Sequence, residues 1–127
     1  MLGIAVRNGD YFLKFENVSF GQIEIDGKVF TSDVVITSGE ILPRDSSPSK
    51  GVLPGHTALT VEEDIPWECE KLYVGTGMYG NLPIQEDVRR AAREKSIELV
   101  TATTPEIAER LNEEYSDSTH VILHLTC

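Results

Sequence analysis

The sequence predicts an α/β fold, an N-terminal antiparallel β meander joined to a C-terminal β-α-β-α-β unit. Two observations carry the prediction. In the first third, short apolar runs are separated by Asn-Gly, Asp-Gly and Ser-Gly dipeptides, which supply the positive φ angles of tight hairpins. Beyond residue 70 the apolar spacing alternates between strand-like runs and a helical period, which implies parallel strands joined by right-handed crossovers. With 127 residues the chain can bury one core but not two independent ones, so residues 1–127 are expected to form a single domain.

Taken in order, Leu2–Val6 and Tyr11–Phe15 flank Asn8-Gly9, and Gln22–Ile25 and Val29–Phe30 flank Asp26-Gly27. Val34–Ile36, the Ser38-Gly39 turn and Ile41–Leu42 continue the meander. Residues 43–55, PRDSSPSKGVLPG, are dense in proline, serine and glycine and read as an exposed loop, the most mobile part of the chain. Glu62-Glu63-Asp64, after Thr60, reads as a solvated first helical turn whose acids complement the helix dipole. Leu72–Val74 is a strand, Ile84, Val88, Ala91 and Ala92 mark one face of a helix, and Ile97–Val100 is a second strand. A second helix starts at Thr104-Pro105-Glu106, where a threonine cap, a proline in the first turn and an early acid favour it. Its apolar stripe is Ile107, Ala108, Leu111 and Tyr115. Val121–Leu123 is the last strand, with His120 and His124 on its alternate face.

Composition narrows the function. Against 11 basic residues stand 21 acidic ones, a formal net charge of −10 that repels phosphate backbones and anionic headgroups. Neither nucleic acid nor membrane is an expected partner. The opening MLGIAVRNGD has too short an apolar run for a signal peptide, and no segment reaches membrane-spanning length, so a cytoplasmic location is expected. Cys69 and Cys127 are expected to be unlinked thiols, since a chain of this size needs no disulfide framework.

Residues 71–80, KLYVGTGMYG, set a hydrophobic strand before Gly75-x-Gly77-x-x-Gly80, the spacing of a dinucleotide fingerprint. That fingerprint works only if its glycines open a helix, whose free amides then meet the pyrophosphate. Here Asn81-Leu82-Pro83 intervenes. The acid that should end the next strand is also missing, because Glu98 begins that strand. NAD and NADP are not expected to bind, and no cofactor is predicted.

Several motifs occur together in a distinctive order: Ser19-Phe20-Gly21 with Ile23, Ile25 and Gly27; Ser32-Asp33-Val34-Val35; Gly55-His56-Thr57; Val74-Gly75-Thr76-Gly77 with Gly80-Asn81-Leu82; Thr103-Thr104-Pro105; and His124-Leu125-Thr126-Cys127. With these the chain, from about Asn17 onward, resembles the small domain of methanogen proteins of unknown function, of the adipogenesis-associated protein of animals and of a mitochondrial assembly factor for respiratory NADH dehydrogenase. The resemblance implies three layers, a β sheet packed against a mixed sheet with helices outside, and no established reaction, substrate or cofactor. Its assembly-factor member points to a protein partner. Ser96 stands where such relatives commonly carry a helix-ending glycine, at a cost of about 1 kcal/mol in a left-handed cap. The loop at 43–55 is longer than the resemblance would suggest.

In an open α/β sheet, ligands collect beyond the carboxyl ends of parallel strands. Here those ends bring Gly75, Thr76 and Gly77, Thr101 to Thr104 (Thr103 and Thr104 among them), and Thr126 and Cys127 to one edge. Hydroxyls, a glycine turn and the start of the Pro105 helix suit a small anion such as phosphate or carboxylate. The carboxylate of Cys127 competes for the same spot, filling it from within the chain. His56 or His124 as base with Cys127 as nucleophile is a further possibility. Against it, residues three apart on a strand face opposite sides unless the chain bends, and a free end holds a catalytic pair poorly. No catalytic residue is assigned, and His56 is expected to bond backbone where the loop rejoins the core. The cysteines and histidines show no paired metal-ligand spacing, so no metal is expected. Trp67 reads as a core or edge plug that gains interest if exposed.

The first functional reading is therefore a non-catalytic domain acting through an unidentified protein partner, as a monomer or small homo-oligomer. The second is a small-anion-binding enzyme or sensor using Gly75–Gly77 and the edge from His124 to Cys127. An exposed apolar patch would favour the first, a deep pocket with convergent polar groups the second.

Overall fold

The computed structural model describes residues 13–51, 57–116 and 118–127. Strands β1 (Phe15–Ser19), β2 (Gln22–Ile25) and β3 (Lys28–Phe30) form an antiparallel sheet in that order. The predicted hairpin around Asn8-Gly9 lies outside the described residues apart from Leu13 to Phe15. Strand β1 was not legible in the pattern. Glu16, Asn17 and Ser19 break its apolar alternation, and Asn17, at φ 51°, falls where the register slips between Glu16↔Glu24 and Ser19↔Gln22.

A second sheet has five strands in the order β5-β4-β8-β6-β7. They are β4 (Val34–Thr37), β5 (Glu40–Pro43), β6 (Lys71–Thr76), β7 (Glu98–Ala102) and β8 (Thr119–His124). Strand β6 runs parallel to β7 and β8, while β4 pairs antiparallel with β5 and β8. The meander thus divides between two sheets, because its strands bury different numbers of faces. In β2 only Ile23 and Ile25 are fully enclosed, a one-sided pattern, whereas Val34-Val35-Ile36 is apolar on both faces and belongs in a covered sheet.

Helices α1 (Glu86–Glu94) and α2 (Thr104–Glu114) complete the fold. The β6-to-β7 crossover steps one way, and the β7-to-β8 crossover steps back past β6. Right-handed crossovers therefore put α1 and α2 on opposite faces. Helix α2 shares its layer with the small sheet: Ile107 and Leu111 pack with Phe15, Ile23, Tyr73 and Leu123 in one core. On the other face Val88 and Ala92 of α1 join Leu59, Ile65, Val74 and Ile122. The result is the three-layer α/β arrangement. Among the described residues no helix is long and apolar enough to cross a membrane.

Local chemistry adjusts several boundaries. Thr103, not Thr104, caps α2, in a reciprocal capping box with Glu106, which frees Thr104 to turn inward where it is fully buried. Ile84 falls before α1, bridging to Leu59. Ser96 adopts the left-handed conformation, φ 58°, just beyond α1. Residues Glu62 to Asp64 form no helix, and Glu63 is buried rather than solvated.

Candidate functional site

Strands β6 and β8 are neighbours whose crossovers run opposite ways, so the crevice beyond their carboxyl ends is where such a sheet would take a ligand. The chain fills that crevice itself. Gly75 lies under α2, where a Cβ would sit 2.7 Å from Thr104 Oγ1 and 2.9 Å from Leu123 Cδ2. Thr104 Oγ1 accepts from the Gly77 amide (2.9 Å) and donates to His124 O (2.5 Å), while the Thr104 amide donates to Gly77 O (3.0 Å). Met78 N donates to Thr126 O (2.7 Å), and Tyr79 N and Asn81 N to Cys127 O (3.2 and 2.9 Å). Gly80 N donates to Gly77 O (3.3 Å) and Leu82 N to Thr76 O (3.0 Å). Every amide from Gly77 to Leu82 is thus engaged. Thr76 Oγ1 donates to Ala102 O (3.0 Å), and Thr103 Oγ1 belongs to the capping box. The glycines exist for close internal packing: at Gly77, φ 104°, a Cβ would lie 2.5 Å from Cys127 O.

Beside this filled crevice lies a cavity of about 290 Å³, lined in part by Asp33, Arg44, Thr57, Asn81, His124 and Cys127. Asp33 is its hub. Its Oδ1 accepts from Leu125 N (2.9 Å), and its Oδ2 from His124 Nδ1 (2.8 Å) and Arg44 Nη1 (2.9 Å). A carboxylate can only accept, so His124 Nδ1 carries a hydrogen and donates it, while Nε2 meets Thr126 Oγ1 at 3.1 Å. Burial opposes ionisation of Asp33, but the bonds from His124 and Leu125, the charge of His124 and the bond from Arg44 together hold its carboxyl below the ordinary value of 3.8.

Arg44 grips Glu63 with two parallel bonds, Nε to Oε1 and Nη2 to Oε2, both 2.8 Å. Burial disfavours the cation, yet the paired carboxylates of Glu63 and Asp33 raise its affinity for the proton. Ser49 donates to Glu63 Oε2 (2.6 Å), so its contact with Thr60 Oγ1 (2.7 Å) is donated by Thr60. The stretch expected to be wholly exposed therefore contributes two buried anchors, Arg44 and Ser49. Asp33 lies in one of the family-like motifs and Glu63 in the acidic run read as solvated, but nothing in the sequence signalled that the two meet at Arg44, since the three come from separate segments without a shared spacing.

His124 and Cys127 do line the same cavity, because the chain bends after β8 and buries Leu125 in the core. The bend is held by Gly21 N to Leu125 O (2.6 Å) and by the amides that bind Thr126 and Cys127. His56 lies outside the described residues. The remaining histidine is structural: His120 Nδ1 donates to Pro66 O (2.8 Å) and Nε2 meets Thr37 Oγ1 (3.2 Å). Cys69 and Cys127 are free thiols, and burial pushes the Cys69 thiol up. Among the described residues no group of His, Cys, Asp and Glu is placed to hold a metal. At the outer rim, Phe20 and Tyr79 bring their rings 6.1 Å apart while 56 % and 70 % exposed.

The model of a family described as a protein of unknown function, DUF498/DUF598, matches residues 15–126. The chain belongs to this family. A conserved hypothetical protein from Pyrococcus horikoshii OT3 is 33 % identical, with a TM-score of 0.80 over 90 % of this chain and 99 % of that one. An outer membrane protein from Bartonella henselae (16 % identity, TM-score 0.66, 91 % of this chain and 96 % of that one) shares the fold. So does a Xanthomonas campestris protein solved by NMR (15 % identity, TM-score 0.63, 98 % and 92 %). No curated protein matches the chain. The family description assigns no reaction.

Proposed function

We propose that the protein is a non-catalytic, cytoplasmic module that works by binding another protein through Phe20 and Tyr79. The exposed aromatic pair carries this reading. Phe20 comes from the β1–β2 turn and Tyr79 from the glycine turn after β6, and neither ring is enclosed by the fold. Aromatic side chains of this kind supply the anchors of protein interfaces. Both turns are tied to one segment, Gly21 N to Leu125 O and Tyr79 N to Cys127 O, so the rings are preorganised and little ordering remains for binding. The resemblance to an assembly factor supports the same reading. In the test, wild type and a Phe20→Ser/Tyr79→Ser variant are immobilised and exposed to native cell extract. A protein retained by wild type and lost from an equally stable variant is expected; equal retention by both sinks the proposal.

The cavity favours a second reading, a small-ligand enzyme or sensor, because the Asp33-oriented imidazole and Cys127 line one space. Asp33 and Glu63 outweigh Arg44 there, so the surrounding charges give an anion no net attraction and a small ligand would be held by hydrogen bonds instead. Under this reading inorganic phosphate shifts the His124 imidazole resonances saturably. Resonances unmoved by phosphate would reject it.

A further inference from the structure

On the face of the mixed sheet that carries α1, the helix packs along β7, and β4 and β5 are flanked instead by the irregular segment through Ile65 and Trp67. Between them run two adjoining cavities of about 130 and 430 Å³, which share Val35, Leu42, Asp64 and Ile65 as lining. Together they make one groove. Its walls are apolar: Val35 and Leu42 from paired positions of β4 and β5, Ile65, Ile122 at the inner end and Trp67 at the outer. Leu42 is 40 % exposed on a strand that pairs only with β4 among the described residues. The rim has one sign of charge. Asp45, Asp64 and Glu68 are exposed along it, and the only basic lining residue, Arg44, is already held by Asp33 and Glu63. The Lys95 ammonium stands 5.7 Å from the Trp67 ring centroid but does not line the groove.

We infer that this groove receives a segment of a partner protein in which apolar side chains are interleaved with lysine or arginine. The apolar floor removes leucine-sized side chains from water, and the carboxylate rim meets the flanking cations. An acidic segment is repelled by the same rim and by the chain's net charge of −10. The surface uses neither Phe20 nor Tyr79, so it stands or falls independently of that patch.

Trp67 is the only tryptophan in the chain and reports on the groove directly. The probes are three synthetic hexapeptide amides: Lys-Leu repeated, Glu-Leu repeated and Lys-Ser repeated. The Lys-Leu peptide is expected to change Trp67 fluorescence saturably, more weakly as salt is raised, while the other two leave it unchanged. Leu42→Ser and Asp64→Lys, both at exposed positions, are each expected to weaken this binding by about tenfold without moving the unfolding midpoint. Phe20→Ser/Tyr79→Ser should bind the peptide as wild type does, which separates failure of this inference from failure of the aromatic-patch reading. No saturable response, an equal response to either control peptide, or wild-type affinity in both groove variants overturns the proposal.

Discussion

Gly75 and Gly77 look like ligand-binding residues in the sequence and are packing residues in the fold. At Gly75 the nearest obstacles to a methyl group are Thr104, at the start of α2, and the Leu123 side chain, both within 3.0 Å. Gly75→Ala should therefore push α2 off the sheet and cost about 1–3 kcal/mol, read as a lower urea midpoint; an unchanged midpoint would mean the close approach is unimportant. Asp33 makes a pH-dependent contribution whose sign follows from its depressed folded-state pKa. The unfolded chain takes up that proton first on acidification, so the stabilisation is present above about 3.8 and is lost as pH falls through the folded value. Thermal midpoints measured from about pH 6 to about pH 2 should fall more steeply for wild type than for Asp33→Asn, and parallel curves would remove Asp33 from the account.

At the scale of elements, what was legible is what is locally encoded. The strands around Leu72–Val74 and Val121–Leu123 are continuous apolar runs, and the two helices carry a helical period and, for α2, capping chemistry, so their place in the fold could be read directly. The partition of the N-terminal strands between two sheets depends on which faces are covered, a tertiary fact. The buried ion network is hidden from the sequence for a related reason. Composition marked the stretch after Pro43 as solvated, but Arg44 finds its partners 11 and 19 residues away, in Asp33 and Glu63. No local pattern records such a pairing. The cavity is accordingly half legible: His124 and Cys127 stand together in the C-terminal motif, whereas the Asp33 and Arg44 side chains that line the cavity with them come from segments with no shared spacing. Arg44→Met should leave two carboxylates without their cation and cost about 3–5 kcal/mol in chemical unfolding. Arg44→Met/Glu63→Met should be more stable than Arg44→Met alone, because the second change removes one stranded charge. Strictly additive losses would show that the two residues are not coupled.

For the whole molecule, residues 124–127 act as the tie between layers. His124 O receives the hydroxyl of Thr104 in α2, Leu125 O receives the Gly21 amide from the small sheet, and Leu125 N binds Asp33 at the cavity. Thr126 O and Cys127 O hold the glycine turn that carries Tyr79. The Leu125 side chain is enclosed in the core shared by α2 and both sheets. The aromatic patch and the polar cavity thus depend on one short segment. Deleting Leu125 to Cys127 removes a buried leucine, about 1.5–3 kcal/mol, and strips acceptors from Gly21, Met78, Tyr79 and Asn81 at about 0.5–1.5 kcal/mol each. A loss of several kcal/mol lowers the melting temperature of a domain this size by about 3–5 °C for each kcal/mol. Cys127→Ser keeps the main-chain oxygen that the turn binds and alters only an exposed thiol, so its midpoint should stay within about 0.5 kcal/mol of wild type. Thermal unfolding of the two variants side by side separates a structural segment from a reactive one. A truncated protein that melts with wild type would show that the layers hold without their tie, and a Cys127→Ser protein that melts far below it would place the energy in the thiol instead.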